Sequence, residues 1–265
     1  MNSQPTHSLS PSHQNAAKDA LNKVPEITLV FWIIKIFATT LGETGGDALS
    51  MSMNLGYLLS TVIFAAIFIV AVIAQIKAKG FHPFLYWTTI VATTTVGTTL
   101  ADFADRSLGI GYAGGASLLF ILLLASLAIW YRTLGSVSVH HIQSPKSEAF
   151  YWLTIMFSQT LGTALGDWTA DTAGLGYTGA ALVFSVFLAL LVSAYVWTNV
   201  SRVFLFWAAF ILTRPLGAVV GDFLDKPVSA GGLELSRFSA SATLILLMVA
   251  FILIFPQRAT KDGGH

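Results

Sequence analysis

The chain contains no cysteine. That excludes disulfides, thiolate metal ligands and thiol nucleophiles, and identifies no compartment. It is also poor in charge: Lys, Arg, Asp and Glu make up 10% of its 265 residues, against about 25% in a soluble domain. No HExxH, GxSxG, Walker or dinucleotide-binding glycine pattern stands in a suitable context, so nothing points to an enzyme or a cofactor. The formal net charge of +1 gives no footprint for nucleic acid.

Apolar residues fill the chain instead. They amount to 55%, and the mean hydropathy is +0.72. Apolar runs recur at about 20 residues, the length that crosses a hydrocarbon core of roughly 30 Å. The expected fold is all-α and polytopic, with eight transmembrane helices at 27–49, 55–76, 83–104, 112–131, 149–169, 177–198, 203–224 and 236–255. They pair in sequence as four helical hairpins, repeats about 27–76, 83–131, 149–198 and 203–255. Residues 1–25, rich in Ser, Gln, Asn, His and Pro, lack the order of a cleaved signal peptide. They are read as a disordered cytoplasmic tail, 26–256 as the transmembrane domain and 257–265 as a C-terminal tail.

The four units repeat one sentence. Trp32, Trp87, Trp152 and Trp207 are each followed ten residues later by Gly42, Gly97, Gly162 and Gly217. Five further on stand Asp47, Asp102, Asp167 and Asp222, and nine beyond those Gly56, Gly111, Gly176 and Gly231. Such a period marks an array of supersecondary units. Trp-to-Trp spacings of 55, 65 and 55 suggest a two-repeat unit that was duplicated. Two crossings per unit make the repeats parallel, related by an axis along the membrane normal. Lys18, Lys23, Lys77, Lys79, Arg132, Lys146, Arg202, Arg258 and Lys261 fall in the tails and inter-hairpin links, against Arg106, Lys226 and Arg237 on the other side. The positive-inside rule then puts both termini in the cytoplasm.

At about 100° per residue, offsets 0, 7, 11, 14 and 18 from each Trp share one helix face about 60° wide. Offset 7 holds Thr39, Thr94, Gln159 and Arg214, and offset 11 holds Glu43, Thr98, Thr163 and Ala218. A polar stripe on an apolar helix is expected to face the bundle interior or a water-filled cavity. Gly42/Gly46, Gly97/Ala101, Gly162/Gly166 and Gly217/Gly221 form small-xxx-small pairs for close helix approach. The offset-24 glycines are read as turn residues, and the Trp residues with Tyr57, Tyr112 and Tyr177 as interfacial belts.

Eight of the chain's thirteen acids, Glu43, Asp47, Asp102, Asp105, Asp167, Asp171, Asp222 and Asp225, gather toward one end of the same four helices. Each Asp could simply satisfy turn N–H groups. Converging acids, however, repel unless cations or protons neutralise them. Carboxylates with hydroxyl and amide oxygens and no sulfur suit alkali metals, Mg²⁺ or Mn²⁺. Only the first unit carries Glu43 and Lys35 inside its span, and only the fourth has Arg214 followed by Pro215. Arg214 stays charged and should pair with Glu43 or Asp222. Pro215 removes an N–H and should kink its helix.

The motifs LGETGGD, VGTTLAD, LGTALGD and LGAVVGD within these units resemble a bacterial membrane-protein family. That family is defined by a repeat of unknown function with two transmembrane regions and a characteristic tryptophan. The resemblance covers Trp32 to about Phe255, with Gly232 standing where the other repeats have Tyr. It implies a bacterial inner-membrane protein and carries no activity with it.

The function expected from the residues is transport of a small inorganic cation across the lipid bilayer, with proton-coupled efflux antiport the leading form. Asp47, Asp102, Asp167 and Asp222 would ligate the metal. Glu43 would exchange protons, Arg214 and Lys35 would be charge partners, and Thr39, Thr94, Thr98, Gln159 and Thr163 would line the path. Two other classes are open: an uptake system or channel for an organic cation, which should show an aromatic cage at mid-membrane, and a membrane scaffold or membrane-anchored regulator without transport activity.

Overall fold

The structure, a computed structural model, describes residues 22–260. Among them are eight long helices: α1 (Leu29–Asp47), α2 (Gly56–Lys77), α3 (Pro83–Asp102), α4 (Tyr112–Leu134), α5 (Pro145–Asp167), α6 (Gly176–Trp197), α7 (Arg202–Asp225) and α8 (Arg237–Ile254). The fold is all-helical, and each helix lies within a few residues of a span expected from hydropathy. Five of them, α2, α4, α6, α7 and α8, are long and apolar enough to cross a membrane. The other three, α1, α3 and α5, are diluted by Thr, Gln and acids.

The odd-numbered helices start alike. Thr28, His82, Ser144 and Ser201 each accept a backbone N–H of the first turn through the side chain, which satisfies an otherwise orphaned donor. Three of them, α1, α3 and α5, run into a five-residue π-helical turn, at Ala48–Ser52, Phe103–Ser107 and Trp168–Thr172. The chain then reverses at Gly56, Gly111 and Gly176, whose φ values of +73°, +77° and +63° are open to glycine at no steric cost. Gly231, at +86°, serves the fourth repeat.

The four odd helices form a closed ring: α1 touches α3, α3 touches α5, α5 touches α7, and α7 touches α1. The even helices stand outside it. Sequence neighbours were expected to pack as hairpins, but each outer helix leans chiefly on the inner helix of the next repeat: α2 on α3, α4 on α5, α6 on α7 and α8 on α1. Every repeat thus overlaps its successor, and the fourth meets the first without a π-helical turn.

Glycine sets the ring's spacing. A Cβ at Gly42 would stand 2.2 Å from Thr94 Oγ1, at Gly97 2.9 Å from the Gln159 carbonyl carbon, at Gly162 2.2 Å from Arg214 Cγ and at Gly217 2.1 Å from Thr39 Oγ1. The offset-10 glycine of each inner helix therefore receives the offset-7 residue of the next, and the fourth contact returns to the first helix. Small residues that let backbones approach in this way are a means by which helices associate where no hydrophobic drive joins them. α7 runs unbroken through Pro215, which packs on Gly162 and Gly166.

The Trp end is sealed by aromatic rings. Trp87, Trp152 and Trp207 are at most 5% exposed, and rings from Phe31 to Phe210 meet at centroid distances of 5.0–6.5 Å. The Tyr86 and Tyr151 hydroxyls lie 2.6 Å apart. This corrects the reading of those tryptophans as an interfacial belt. Offset 0 shares the inward face with offsets 7 and 11, and the buried indoles find acceptors inside: Trp87 Nε1 donates to Gln257 Oε1 at 2.8 Å and Trp207 Nε1 to the Val137 carbonyl at 3.0 Å. Residues expected in the tails pack there too. Lys23 pairs with Glu148 at 2.6 Å and caps the Gln75 and Ile76 carbonyls of α2, and the Thr260 N–H donates to the Val24 carbonyl at 2.8 Å. Residues 1–21 and 261–265 of the expected tails lie outside the described residues.

Replacing Gly217 or Gly97 by Ala should therefore lower stability by about 1–3 kcal/mol through overpacking. Gly45→Ala, where a Cβ meets nothing within 4 Å, should leave it unchanged or raise it. Thermal unfolding in detergent micelles reads the difference.

Candidate functional site

Along the ring's axis the inner helices stack side chains in layers, beginning at the aromatic floor. Offset 3 holds Lys35, Ile90, Ile155 and Phe210; offset 7 holds Thr39, Thr94, Gln159 and Arg214. All eight are fully buried. Glu43, Thr98, Thr163 and Ala218 follow at offset 11, and then the four aspartates, none more than 3% exposed.

Arg214 occupies the centre. Its Nη2 lies 3.0 Å from Glu43 Oε2 and donates to the Thr98 and Thr163 hydroxyls at 2.6 Å each, while Nη1 donates to the Thr39 carbonyl at 3.3 Å. One guanidinium thus ties α7 to α1, α3 and α5. Of the two acids expected beside it, Glu43 is the partner. Among the described residues, the fully buried Gln159 amide has no hydrogen-bond partner at either end.

Lys35 does not join this pair. Its Nζ donates to the Phe210 carbonyl at 3.3 Å and the Thr213 hydroxyl at 3.1 Å, and lies 3.8 Å from the Phe210 ring centroid. No described ion pair includes it. Eight residues separate Lys35 from Glu43, about 12 Å of helix, so the expected charge-partner role is not what its contacts supply. The threonines likewise act as staples. Thr94 Oγ1 donates to the Ala38 carbonyl and Thr98 Oγ1 to the Gly42 carbonyl, each at 3.2 Å, so they hold α3 to α1 rather than facing an open passage.

At the far end three bases meet the aspartates. Arg106 Nε lies 2.7 Å from Asp102 Oδ1, and its Nη2 lies 3.7 Å from Asp167 Oδ2. The Lys226 ammonium contacts Asp47 and lies 3.0 Å from Asp222 Oδ1, and Arg237 Nε lies 2.7 Å from Asp225 Oδ2. Burial alone would push the Lys226 ammonium below its ordinary pKa, but Asp222, Asp47 and Asp225 together outweigh burial and hold it above. Asp105 is half-buried with Oδ1 unpartnered, and burial raises its carboxyl above the usual range against the pull of Arg106. Asp171 is exposed on its turn and joins no described ion pair.

Carboxylate oxygens of Glu43, Asp47 and Asp102 lie within 4.8 Å of one another, as do those of Asp47, Asp222 and Asp225. The expected four-aspartate ligand set thus divides into two groups that share Asp47, and Asp167 enters neither. From the residues, Arg106, Lys226 and Arg237 stand out only as the few basic residues on the side opposite the links. A signal was available for two of them: Arg106 and Lys226 stand four residues after Asp102 and Asp222, the spacing at which helical side chains meet. Both sit at offset 19, in the second and fourth repeats only, as duplication of a two-repeat unit would leave them.

A family model described as Repeat of Unknown Function (DUF347) matches residues 30–81, 85–136, 150–201 and 205–259. No curated protein and no solved structure matches the chain.

Removing one partner of a buried pair strands the other charge, at a cost of about 3–5 kcal/mol. Arg214→Gln and Glu43→Gln should each lower stability by that order in detergent, and the double variant by less than their sum. Lys35→Met removes a side chain that joins no described ion pair and conserves volume, so it should cost no more than about 1.5 kcal/mol.

Proposed function

The chain belongs to the DUF347 repeat family, four copies in tandem, and we propose that this member carries a small inorganic cation across the bacterial inner membrane, in exchange for protons. The observation that carries the reading is the concentration of buried charge on the axis of a helix ring whose outer surface is apolar. Glu43, Arg214 and the four aspartates are almost wholly buried, while Leu58, Val62, Val70, Leu182 and Leu246 on the outer helices are each about half exposed or more. Ionisable groups inside a membrane domain are costly and mark ion pathways by default.

All eight helices cross in this reading. α1, α3 and α5 need little apolarity of their own because the outer helices shield them from lipid. The basic links lie at the Trp end, so that end and both termini face the cytoplasm, and the aspartates face outward. Asp47, Asp102, Asp167 and Asp222 draw in a hard cation, and Glu43 exchanges the proton while Arg214 holds its counter-charge. Thr98 and Thr163, bonded to Arg214, would shift as that pair breaks. Organic cations fit less well, since the aromatic rings at the Trp end occupy one another's faces.

A second reading has its own support. Arg106, Lys226, Arg237 and Arg214 already offset much of the acidic charge, as a scaffold without transport would require.

Everted vesicles loaded with a pH-sensitive dye and given a panel of alkali and divalent cations separate the two. Transport predicts that at least one cation dissipates the pH gradient through the native chain, and that Glu43→Gln or Asp167→Asn slows this about tenfold or more. Vesicles with and without the chain behaving alike would favour the scaffold.

A further inference from the structure

The fourth repeat breaks the pattern of the others at the aspartate mouth. Repeats one to three leave the inner helix through a π-helical turn, whereas α7 continues to Asp225 and the next eleven residues fold back on it. The Leu233 N–H donates to the Phe223 carbonyl at 2.7 Å, Leu235 to Leu224 at 2.8 Å, and Glu234 to the Lys226 carbonyl at 2.9 Å. The departure at Gly232 acquires a reason here: a Cβ at that position would stand 2.1 Å from the Lys226 carbonyl oxygen. The tyrosine of the other repeats would push this carbonyl away. Gly232 thus lets the returning strand of chain clamp the Lys226 backbone, with its ammonium between Asp47 and Asp222.

That ammonium stands where a cation would be held. Carboxylate oxygens of Asp47, Asp222 and Asp225 converge within 4.8 Å. Asp47 Oδ1 and Asp225 Oδ1 are buried and have no hydrogen-bond partner among the described residues, so part of their capacity to bind a hard cation is unused. With Arg237 on Asp225, the three acids carry a formal charge of −2 when Lys226 is away, −1 when it is seated and zero with a divalent cation in its place. Oxygen-only ligation at that charge suits Mg²⁺ or Mn²⁺.

We propose that Lys226 is a tethered counter-ion occupying a divalent-cation site made by Asp47, Asp222 and Asp225, and that the ion enters by displacing the ammonium. The inference rests on the cation reading above and adds the ion's charge class and a built-in competitor. The competitor weakens binding at rest and helps expel the ion, returning the mouth to its paired state.

The test measures Mn²⁺ binding to the purified full chain in detergent, by loss of the free-ion paramagnetic resonance signal. Lys226→Gln removes the competitor, and Gly232→Tyr dislodges it while keeping the charge. Both should bind Mn²⁺ about tenfold or more tightly than the native chain, and Asp225→Asn added to Lys226→Gln should abolish the gain. Size-exclusion elution at the native volume establishes that each variant is folded, and either folded variant suffices. Equal affinity in native chain and variants would overturn displacement while leaving a cation site in place. Absence of Mn²⁺ binding in all of them would overturn this site. The transport reading would then stand or fall separately, on whether vesicles carrying the native chain still exchange a cation for protons.

Discussion

The contact between the glycine ten residues after each Trp and the side chain seven residues after the next Trp governs this molecule. It occurs four times, in one rotational sense, and the last contact joins α7 back to α1. A glycine there lets two helices approach until the partner's Cβ nearly touches backbone. A larger residue would overpack the contact and strain the ring that encloses the buried charges. Ring closure is therefore the condition under which Glu43, Arg214 and four aspartates can exist inside an apolar shell at all.

Within this frame, the departures from fourfold repetition are informative. Three repeats offer Thr, Thr and Gln at the layer where the fourth supplies Arg214, and only the first supplies Glu43 one layer away. One cation reaching hydroxyls on two other inner helices and a carboxylate on the third is a fourfold socket filled asymmetrically. At the mouth the asymmetry is twofold, since Arg106 and Lys226 come from alternate repeats. A layer of acids paired from the mouth, a central ion pair and an aromatic floor give the axis two chemically different ends.

Much of this was legible in the residues. Hydropathy located eight helices, and the fixed spacings gave the inner face and the turn glycines at Gly56, Gly111, Gly176 and Gly231. A buried acid partner for Arg214 was legible too, but the residues left Glu43 and Asp222 both open, and the contact with Glu43 decides between them. Less visible was which helices touch. Hydropathy locates spans and is blind to which of them touch, so adjacent spans suggested hairpins where the chain builds an overlapping ring. The tryptophans were misread because belt and floor residues have the same composition at a helix end, and only the face they share with offsets 7 and 11 tells them apart. Lys226 and Arg237 looked like loop charges because nothing local records that the chain after Asp225 folds back onto the mouth.

Closure itself can be tested in a chain that has no cysteine of its own. The Thr44 and Ser241 hydroxyls, on the inner helix of the first repeat and the outer helix of the fourth, lie 2.8 Å apart, close enough for a disulfide once both are cysteine. The Thr44→Cys/Ser241→Cys chain should form an intramolecular bond under mild oxidant, seen as faster migration on a denaturing gel that reverses on reduction. Two thiols that stay reduced and fully labelled in the folded protein would mean that the outer helix of the fourth repeat does not lean on the inner helix of the first, and the overlap that carries the array from its last repeat back to its first would be absent.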